Sequence, residues 1–352
     1  MNDDLFARYP QLRGEPFATA MLCRLVQLRG EHTEALALGL AALEMAPGDM
    51  EVRDLVRISL SEAVPGWHAP MLHDVPRNAA YAAGIAHAVK PGMKILEIGT
   101  GAGLLSMLCA RAGAEVVTCE QNPMVAAAAV EVIARNGLSD RIRVVQKSAD
   151  KVELGTDLPE RADMLVSELF DDMLYGEAVV PIVADAHKRL LKPGAKVLPP
   201  RCELRVALMS GKIRREMEPL GMVEGFDLSA FNALGPQPGR RMRASPSHAE
   251  LRSEPASLLH ADFEGAAPYV PQRESVVLRA TGGRIDGVAQ WMRFDFDGGA
   301  SFENDPFAGP WSHWGSPFFP LVEPIDTAPG DLIEVGVRRV ENAILIKAER
   351  AG

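Results

Sequence analysis

The sequence predicts a three-part chain: an N-terminal helical segment, a central α/β domain on a parallel sheet, and a C-terminal β domain of sandwich or barrel type. Three observations carry this. Apolar residues recur at helical spacing over residues 15–62. Strand-like runs alternate with helix-like stretches over 93–198. After residue 201 glycine and proline become frequent, and short alternating runs replace helices. With 352 residues the chain exceeds what one core needs. The texture changes place the domains at 1–65, 66–199 and 200–352.

In the first part, "FATAMLCRLVQLRG", "HTEALALGLAALEMAPGD" and "MEVRDLVRISLSEA" read as helices, punctuated by Gly30 and "APGD" (46–49). The stretch 30–49 resembles a tetratricopeptide helix pair, with Ala35, Ala42, Leu43 and Pro47 in the small, apolar and terminating positions. One such unit is too few for a free-standing solenoid, which needs about three. The expectation is a helical cap packed on the next domain.

In the second part, "MKILEIG", "AEVVTCE", "RIRVVQK", "ADMLVSEL" and "AKVLPPR" read as strands, with "LLSMLCARAG", "PMVAAAAVEVIARNG" and "GEAVVPIVADAHKRLLKPG" as helices. Parallel strands are buried on both faces and read as apolar runs, as these do. In the third part, "CELRVALMS", "ASLLHADF", "ESVVLRAT", "AQWMRFDFD", "LIEVGVRR" and "AILIKAE" read as antiparallel strands.

Composition narrows the function classes. A net charge of −10 argues against general nucleic-acid binding and is compatible with a basic partner. No run is apolar and long enough for a transmembrane helix, and "MNDDLFARYPQLRGEP" lacks the pattern of a signal peptide, so a cytoplasmic protein is expected. Four scattered cysteines suggest neither a disulfide framework nor a zinc site. No histidine spacing suggests a metal.

The chemistry begins at "KILEIGTGAGLLSML" (94–108), a strand, a glycine turn and a helix. Glycines there let a ligand approach the backbone at a helix N-terminus. The dinucleotide pattern G-x-G-x-x-G fails in both registers, because Leu104 or Ser106 stands sixth. What stands instead, Glu97-x-Gly99-x-Gly101-x-Gly103, resembles motif I of class I S-adenosylmethionine-dependent methyltransferases. The resemblance implies a Rossmann-like domain over 66–199. An acid at the strand end suits the cofactor's ammonium, and Glu120, at the end of the next strand, suits its ribose hydroxyls.

Further on, "VSELFDDMLYGE" sets Glu168 and Glu177 at the two ends of a loop after a strand. Two carboxylates there suit a planar, fork-donating guanidinium. The simpler reading of Glu177, an acid at the start of the next helix, is about equally good for that residue alone. The stretch resembles the "double-E loop" of protein arginine methyltransferases, most of all their monomethylating, type III branch. Three further matches follow the family's order. "MLHDVPRNAAYAAGI" (71–85) is similar to the helix before the sheet, "GFDLSAF" (225–231) to part of a dimerisation arm, and "WSHWGSPFFPL" (311–321) to the "THW" loop.

The likeness covers about residues 67–350 and implies a β-barrel substrate domain with a dimer arm near 211–235. It implies that Glu97, Gly99, Gly101, Gly103, Glu120, Asp150, His68, Met71 and Arg77 bind S-adenosylmethionine, Arg77 at its carboxylate and Asp150 at the adenine amino group. Glu168 and Glu177 would clamp the guanidinium, Trp314 would wall its pocket, Asp171 would add negative charge toward a cationic substrate, and His313 would meet Asp74. The implied partners are an arginine-containing protein or peptide and a second copy of the chain, and the implied product is S-adenosylhomocysteine. Two departures stand out: Trp67 and no tyrosine before the first helix of the core, and Ser312 for the threonine of "THW". Two other readings stay open, a methyltransferase for a small guanidino or amine metabolite and a non-catalytic binding protein on the same fold.

Overall fold

The structure, a computed structural model, describes residues 2–211, 220–234, 240–242, 249–264, 268, 270–308 and 312–352. The chain divides into two compact units. The first comprises Met1–His73, Tyr81–Glu168 and Asp185–Leu198; the second comprises Asp74–Ala80, Leu169–Ala184 and Pro199–Gly352. Asp74–Ala80, which includes the first turns of the helix Val75–Ala88, and the loop after Glu168 thus belong with the β-rich part. Among the described residues no helix is long and apolar enough to cross a membrane.

The first unit opens with α1 (Asn2–Arg8), α2 (Pro16–Gln27), α3 (His32–Met45) and α4 (Met50–Ser61). At seven residues, α1 is too short to show periodicity in the sequence. Asp49 caps α4 by accepting from the N–H groups of Glu51 and Val52. Gly39 lets α3 lie close to its neighbours, since a Cβ there would stand 3.1 Å from Leu60 and Val56. Leu5, Phe6, Leu12, Cys23, Val26, Ala35, Leu38 and Ala41 form one apolar cluster with Met124 of the α/β core, which seats the cap.

After α5 (His68–Leu72) and α6 (Val75–Ala88), the sheet follows: β1 (Lys94–Ile98), α7 (Leu104–Arg111), β2 (Glu115–Cys119), α8 (Pro123–Arg135), β3 (Ile142–Val145), β4 (Ala162–Ser167), α9 (Val179–Arg189) and β5 (Leu191–Leu198). All pairings are parallel, in the order β3-β2-β1-β4-β5. The order reverses direction between β1 and β4, and ligand crevices of open α/β sheets form beyond the strand ends at such a point.

The second unit is antiparallel: β6 (Arg201–Gly211), β7 (Met222–Val223), β8 (Phe226–Asp227), β9 (Arg240–Met242), β10 (Ala249–Leu251), β11 (Ala256–Asp262), β12 (Arg273–Arg279), β13 (Gly283–Asp295), β14 (Ser301–Glu303), β15 (Ser316–Thr327), β16 (Leu332–Val340) and β17 (Ala343–Arg350). The long β13 pairs with β6 and β15, and its Ala289 and Trp291 meet Ala207, Met209 and Phe318 in a core. β12, β16 and β17 form a separate sheet. β15 is absent from the sequence reading because Pro317, Pro320 and Pro324 remove ladder donors. The structure accommodates Pro320 where the register of β13 shifts, opposite Gly287, whose Cβ would stand 2.4 Å from Phe318 and the Phe319 carbonyl. Of the expected arm, 220–234 is described; residues 212–219 and 235 lie outside the described residues, as does Trp311.

Candidate active site

In the first unit the glycine loop leaves β1. Gly99, Gly101 and Gly103 have φ of 86°, 51° and 82°, left-handed values that a side chain disfavours. The N–H groups of Gly99 and Thr100 both donate to the Cys119 carbonyl, and Gly103 N donates to Thr100 O, so the loop folds over the end of β2. Glu120, just past β2, holds it there: Oε2 accepts from Gly101 N at 3.1 Å and Oε1 from Asn122 N at 2.9 Å.

Glu97 is 1% exposed. Its carboxyl accepts from the hydroxyl of Ser106, and Thr118 bonds it as well. Burial pushes it up to about 7, against the pull of those hydroxyls. Neither Ser106 nor Thr118 shows in the motif, because their place behind Glu97 depends on sheet register. The His68 ring faces the same loop, since a Cβ on Gly101 would lie 3.8 Å from its Cε1. Trp67 stacks on His68 at 4.1 Å. Burial pulls the His68 pKa down, while Glu120 and Glu168 oppose it. Met71 is buried in α5. Asp150, exposed after β3, accepts from Ser148 Oγ at 2.6 Å and pairs with Lys151, and no bond joins it to these residues among those described.

Glu168 follows β4 directly. Ile98 of β1 pairs with Ser167 of β4, so the glycine loop and Glu168 leave adjacent strand ends in register.

The second unit gathers Asp74, His313, Trp314 and the loop 169–178. Asp74, fully buried, accepts at Oδ2 from Ser312 Oγ (2.7 Å) and His313 N (3.0 Å), with His313 Nδ1 also at 3.0 Å. Burial alone would raise its pKa, but these bonds outweigh it and hold the carboxyl below the ordinary range. Trp314 stacks on Phe294 (5.1 Å) and donates its indole N–H to the Phe170 carbonyl at 2.8 Å. Asp172 accepts from Gly315 N, and its carbonyl accepts from Gln290 Nε2. Phe170 and Asp172 lie within the quoted "VSELFDDMLYGE" stretch, where Asp172 reads as added negative charge, but their packing and backbone bonds show only in the fold; Gln290 carries no motif signal.

Asp171 staples this loop from within, accepting at Oδ1 from Met173 N (3.0 Å) and Gly176 N (2.9 Å). Arg77 is 2% exposed; its N–H donates to Asp74 and its Nη1 to Asn78. Glu177, half-buried, precedes α9.

The chain is similar to known proteins in sequence and in fold. A family model described as ribosomal protein L11 methyltransferase (PrmA) matches residues 83–198. The chain is 32% identical over 312 residues to an arginine N(omega)-methyltransferase of Streptomyces achromogenes subsp. streptozoticus, covering 88% of this chain and 86% of that protein. The chain belongs to the arginine N-methyltransferase family. It is also 30% identical over 289 residues to protein arginine N-methyltransferase 7 of Danio rerio. That match covers 72% of this chain and 41% of the fish protein, so the chain spans under half of that relative's length. Among solved structures, the Trypanosoma brucei PRMT1 enzyme-prozyme heterotetrameric complex with AdoHcy superposes with a TM-score of 0.70 at 23% identity, covering 82% of this chain and 94% of that one. The methyltransferase core followed by a barrel domain is the shared fold.

Proposed function

We propose that this enzyme transfers a methyl group from S-adenosylmethionine to a guanidinium nitrogen of arginine in a protein or peptide, adding one methyl and releasing S-adenosylhomocysteine. The observation that carries the reading is the register of β1 and β4, which sets the glycine loop and Glu168 side by side at the switch point.

The residues present fit the cofactor. Three left-handed glycines bare the backbone, Glu120 stands at the loop, and the buried Glu97 is a carboxyl whose ionised form a cation would restore. S-adenosylmethionine supplies an electrophilic methyl group on a sulfonium. Glu97 would hold its ammonium, Glu120 its ribose hydroxyls, Arg77 its carboxylate and Asp150 its adenine amino group, with His68 and Met71 beside it.

Glu168 and Glu177 act on the substrate. A guanidinium keeps its proton up to a pH of about 12.5 or higher, so deprotonation in advance is not the route. The two carboxylates accept its N–H groups, fix its plane and draw the positive charge toward themselves. One nitrogen is left with more of its lone pair. Catalysis is therefore mostly positioning and electrostatics. His313, oriented by Asp74, receives the departing proton, and the Asp74 carboxylate stabilises the imidazolium. Trp314 walls the pocket. Asp171 acts on the substrate through its charge and by shaping the loop that ends in Glu177.

The chain works as a homodimer through the arm at 211–235, with the tetratricopeptide-like stretch 30–49, which holds the single helix α3, as part of its N-terminal cap. It works in the cytoplasm, where its four buried free cysteines stay reduced.

The test is to mix the protein with methyl-labelled S-adenosylmethionine and an arginine- and glycine-rich peptide, beside Glu168→Gln. Label on the peptide that falls by about 100-fold or more in the variant supports the reading. Mass spectrometry then gives the methyl count, one being expected. Cofactor binding with no transfer to any guanidinium would refute it. A second reading, free arginine as substrate, is favoured by the Streptomyces relative, which is named for arginine and matched along 86% of its length. Free arginine in a parallel reaction separates the two.

A further inference from the structure

We infer that Asn122 is a positioning residue: through its side-chain amide the N-terminal helical cap fixes the segment that carries Trp67 and His68 against the glycine loop. The inference rests on reading that loop as the cofactor site and gives the cap a part in it.

Asn122 makes bonds in three directions. Its N–H donates to Glu120 Oε1 at 2.9 Å, the carboxylate whose other oxygen holds Gly101 N. Its Oδ1 closes the start of α8, accepting from Met124 N and Val125 N at 3.0 and 3.2 Å. Its Nδ2 donates to the Ala63 carbonyl, 59 residues earlier in the chain, at 2.6 Å. Starting a helix takes only a side-chain oxygen, so serine or aspartate would serve α8 equally well. The nitrogen is what asparagine adds, and the cap is what that nitrogen reaches.

Ala63 stands two residues past α4, where the cap ends. From there the chain runs through Val64, Pro65 and Gly66 to Trp67 and His68. The backbone bonds of this stretch are local: Ala63 N to Leu60 O, Val64 N to Ser61 O and His68 N to Pro65 O. Glu62 pairs with Arg24, which belongs to the cap itself. Among the described residues, the bond from Asn122 is the one that ties 62–67 to the sheet and its helices. A partly exposed turn with few bonds opens easily, so one anchor weighs heavily on its path.

The far end of that turn is the site. Trp67 stacks on His68, and the His68 ring faces Gly101. The cap is seated on α8: Met124 joins its apolar cluster, with Ala63 and Val64 packed against it, and Arg135, in the last turn of α8, pairs with Glu44 of α3 at 3.2 Å. α8 in turn meets the glycine loop, since a Cβ on Gly103 would stand 3.3 Å from Ile133. Cap, α8 and loop thus form one packed series, and Asn122 bonds to all three through Ala63, Met124 and Glu120. Losing its amide N–H leaves α8 and the loop as they are and frees the Trp67–His68 segment, which cofactor binding must then order at a cost in affinity.

The experiment uses the full chain with Asn122→Ser and Asn122→Asp. Both keep an oxygen at the start of α8 and lose the amide N–H. Only the second adds a charge near Glu120, so agreement between them assigns the effect to the lost bond. In the ligand-free chain, amide hydrogen exchange read by mass spectrometry should quicken about ten-fold over 62–68 and stay at the wild-type rate in α8. Calorimetry should show the dissociation constant for S-adenosylmethionine raised about ten-fold in both variants. If exchange over 62–68 is unchanged, or quickens in α8 instead, Asn122 serves α8 alone and the inference is overturned. Faster exchange over 62–68 with an unchanged dissociation constant keeps the tie but takes the cap out of cofactor binding, which overturns it as well. If the wild-type chain binds no S-adenosylmethionine, the reading of the glycine loop falls first and the inference falls with it.

Discussion

Two loops, one after β1 in the first unit and one after Glu168 in the second, reach left-handed backbone by opposite means. The loop after β1 places φ of 51–86° on Gly99, Gly101 and Gly103, residues without a Cβ to clash. The loop after Glu168 places φ of 77° and 57° on Leu174 and Ala178, which have one. A left-handed residue other than glycine costs about 1–2 kcal/mol and persists only where its surroundings over-determine it. Here they do. Leu174 and Val179 are fully buried, and Asp171 accepts from two backbone N–H groups of the same loop. The first loop is thus shaped locally, by residues whose missing Cβ tolerates that backbone. The second is shaped by tertiary contacts and leads into Glu177, the carboxylate proposed above for the substrate. Such a shape can change when the packing around it changes, whereas three glycines admit few replacements.

The largest expected effect tests the first loop through Glu97. In the unfolded chain this glutamate loses its proton near the ordinary value of about 4.3; in the folded chain it keeps it to about 7. Between those pH values the folded state carries more protons, so stability falls as pH rises and levels off above about 7. The difference is on the order of 3 kcal/mol. Denaturant unfolding at pH 5 and pH 8 should show this slope in the wild type and lose it in Glu97→Gln. Binding of a cationic cofactor should ionise the group, so calorimetry near pH 6 in buffers of different ionisation enthalpy should detect proton release. Equal stability at both pH values would mean that Glu97 is ionised throughout.

Next in size is Gly176→Ala in the second loop. Its Cβ would stand 2.0 Å from Asp171 Oδ2 and 2.4 Å from Asp171 Cγ, and Asp171 is pinned by the two N–H groups it accepts. The loop must shift, and Glu177 is the next residue. A displacement of about 1 Å at a positioning group lowers turnover by about 100-fold. Steady-state kinetics should show the loss in kcat, with cofactor affinity within about two-fold of wild type. Unchanged kcat would show that Asp171 yields without moving Glu177.

These two loops also mark how far the sequence could be read. The α/β alternation, the strand at Lys94–Ile98, its glycines and Glu120 are local patterns, so strand ends and acids follow directly from spacing. Glu168 and Glu177 are legible as a pair of acids, yet what shapes the chain between them is not. Asp171 reads in the sequence as negative charge facing a cationic substrate, and only the fold turns its carboxylate onto Met173 N and Gly176 N. The bonds from Ser312 and His313 to Asp74 span 238 and 239 residues, a separation at which no periodicity speaks. β15 is hidden for another reason: its prolines argue against a strand, and the opposing glycine that accommodates one of them lies more than thirty residues earlier.

Gly99→Ala comes third. A Cβ at φ 86° costs about 1–2 kcal/mol in strain, which the loop relieves by turning its backbone away from the cofactor position. The expected result is a rise of about ten-fold in the dissociation constant for S-adenosylmethionine, read by calorimetry, with kcat at saturating cofactor nearly unchanged. A loss confined to kcat would move Gly99 from the binding of the cofactor to the step itself.

The smallest effect has the opposite sign and separates the two loops most cleanly. Ala178, half-buried at φ 57°, lies just before α9, its N–H donating to Tyr175 O and its carbonyl accepting from Ile182 N. Ala178→Gly keeps both bonds and removes the methyl group responsible for the strain of about 1–2 kcal/mol. Glycine gives the unfolded chain more freedom, which offsets about 0.5–1 kcal/mol of that gain. The net is a stabilisation of up to about 1 kcal/mol, or a rise in Tm of about 2–4 °C at most. If packing alone determines the loop, kcat should stay within about two-fold. If the methyl group at 178 also helps hold Glu177, Tm should rise while kcat falls, and the strain would then be the means by which a tertiary loop keeps its carboxylate in place.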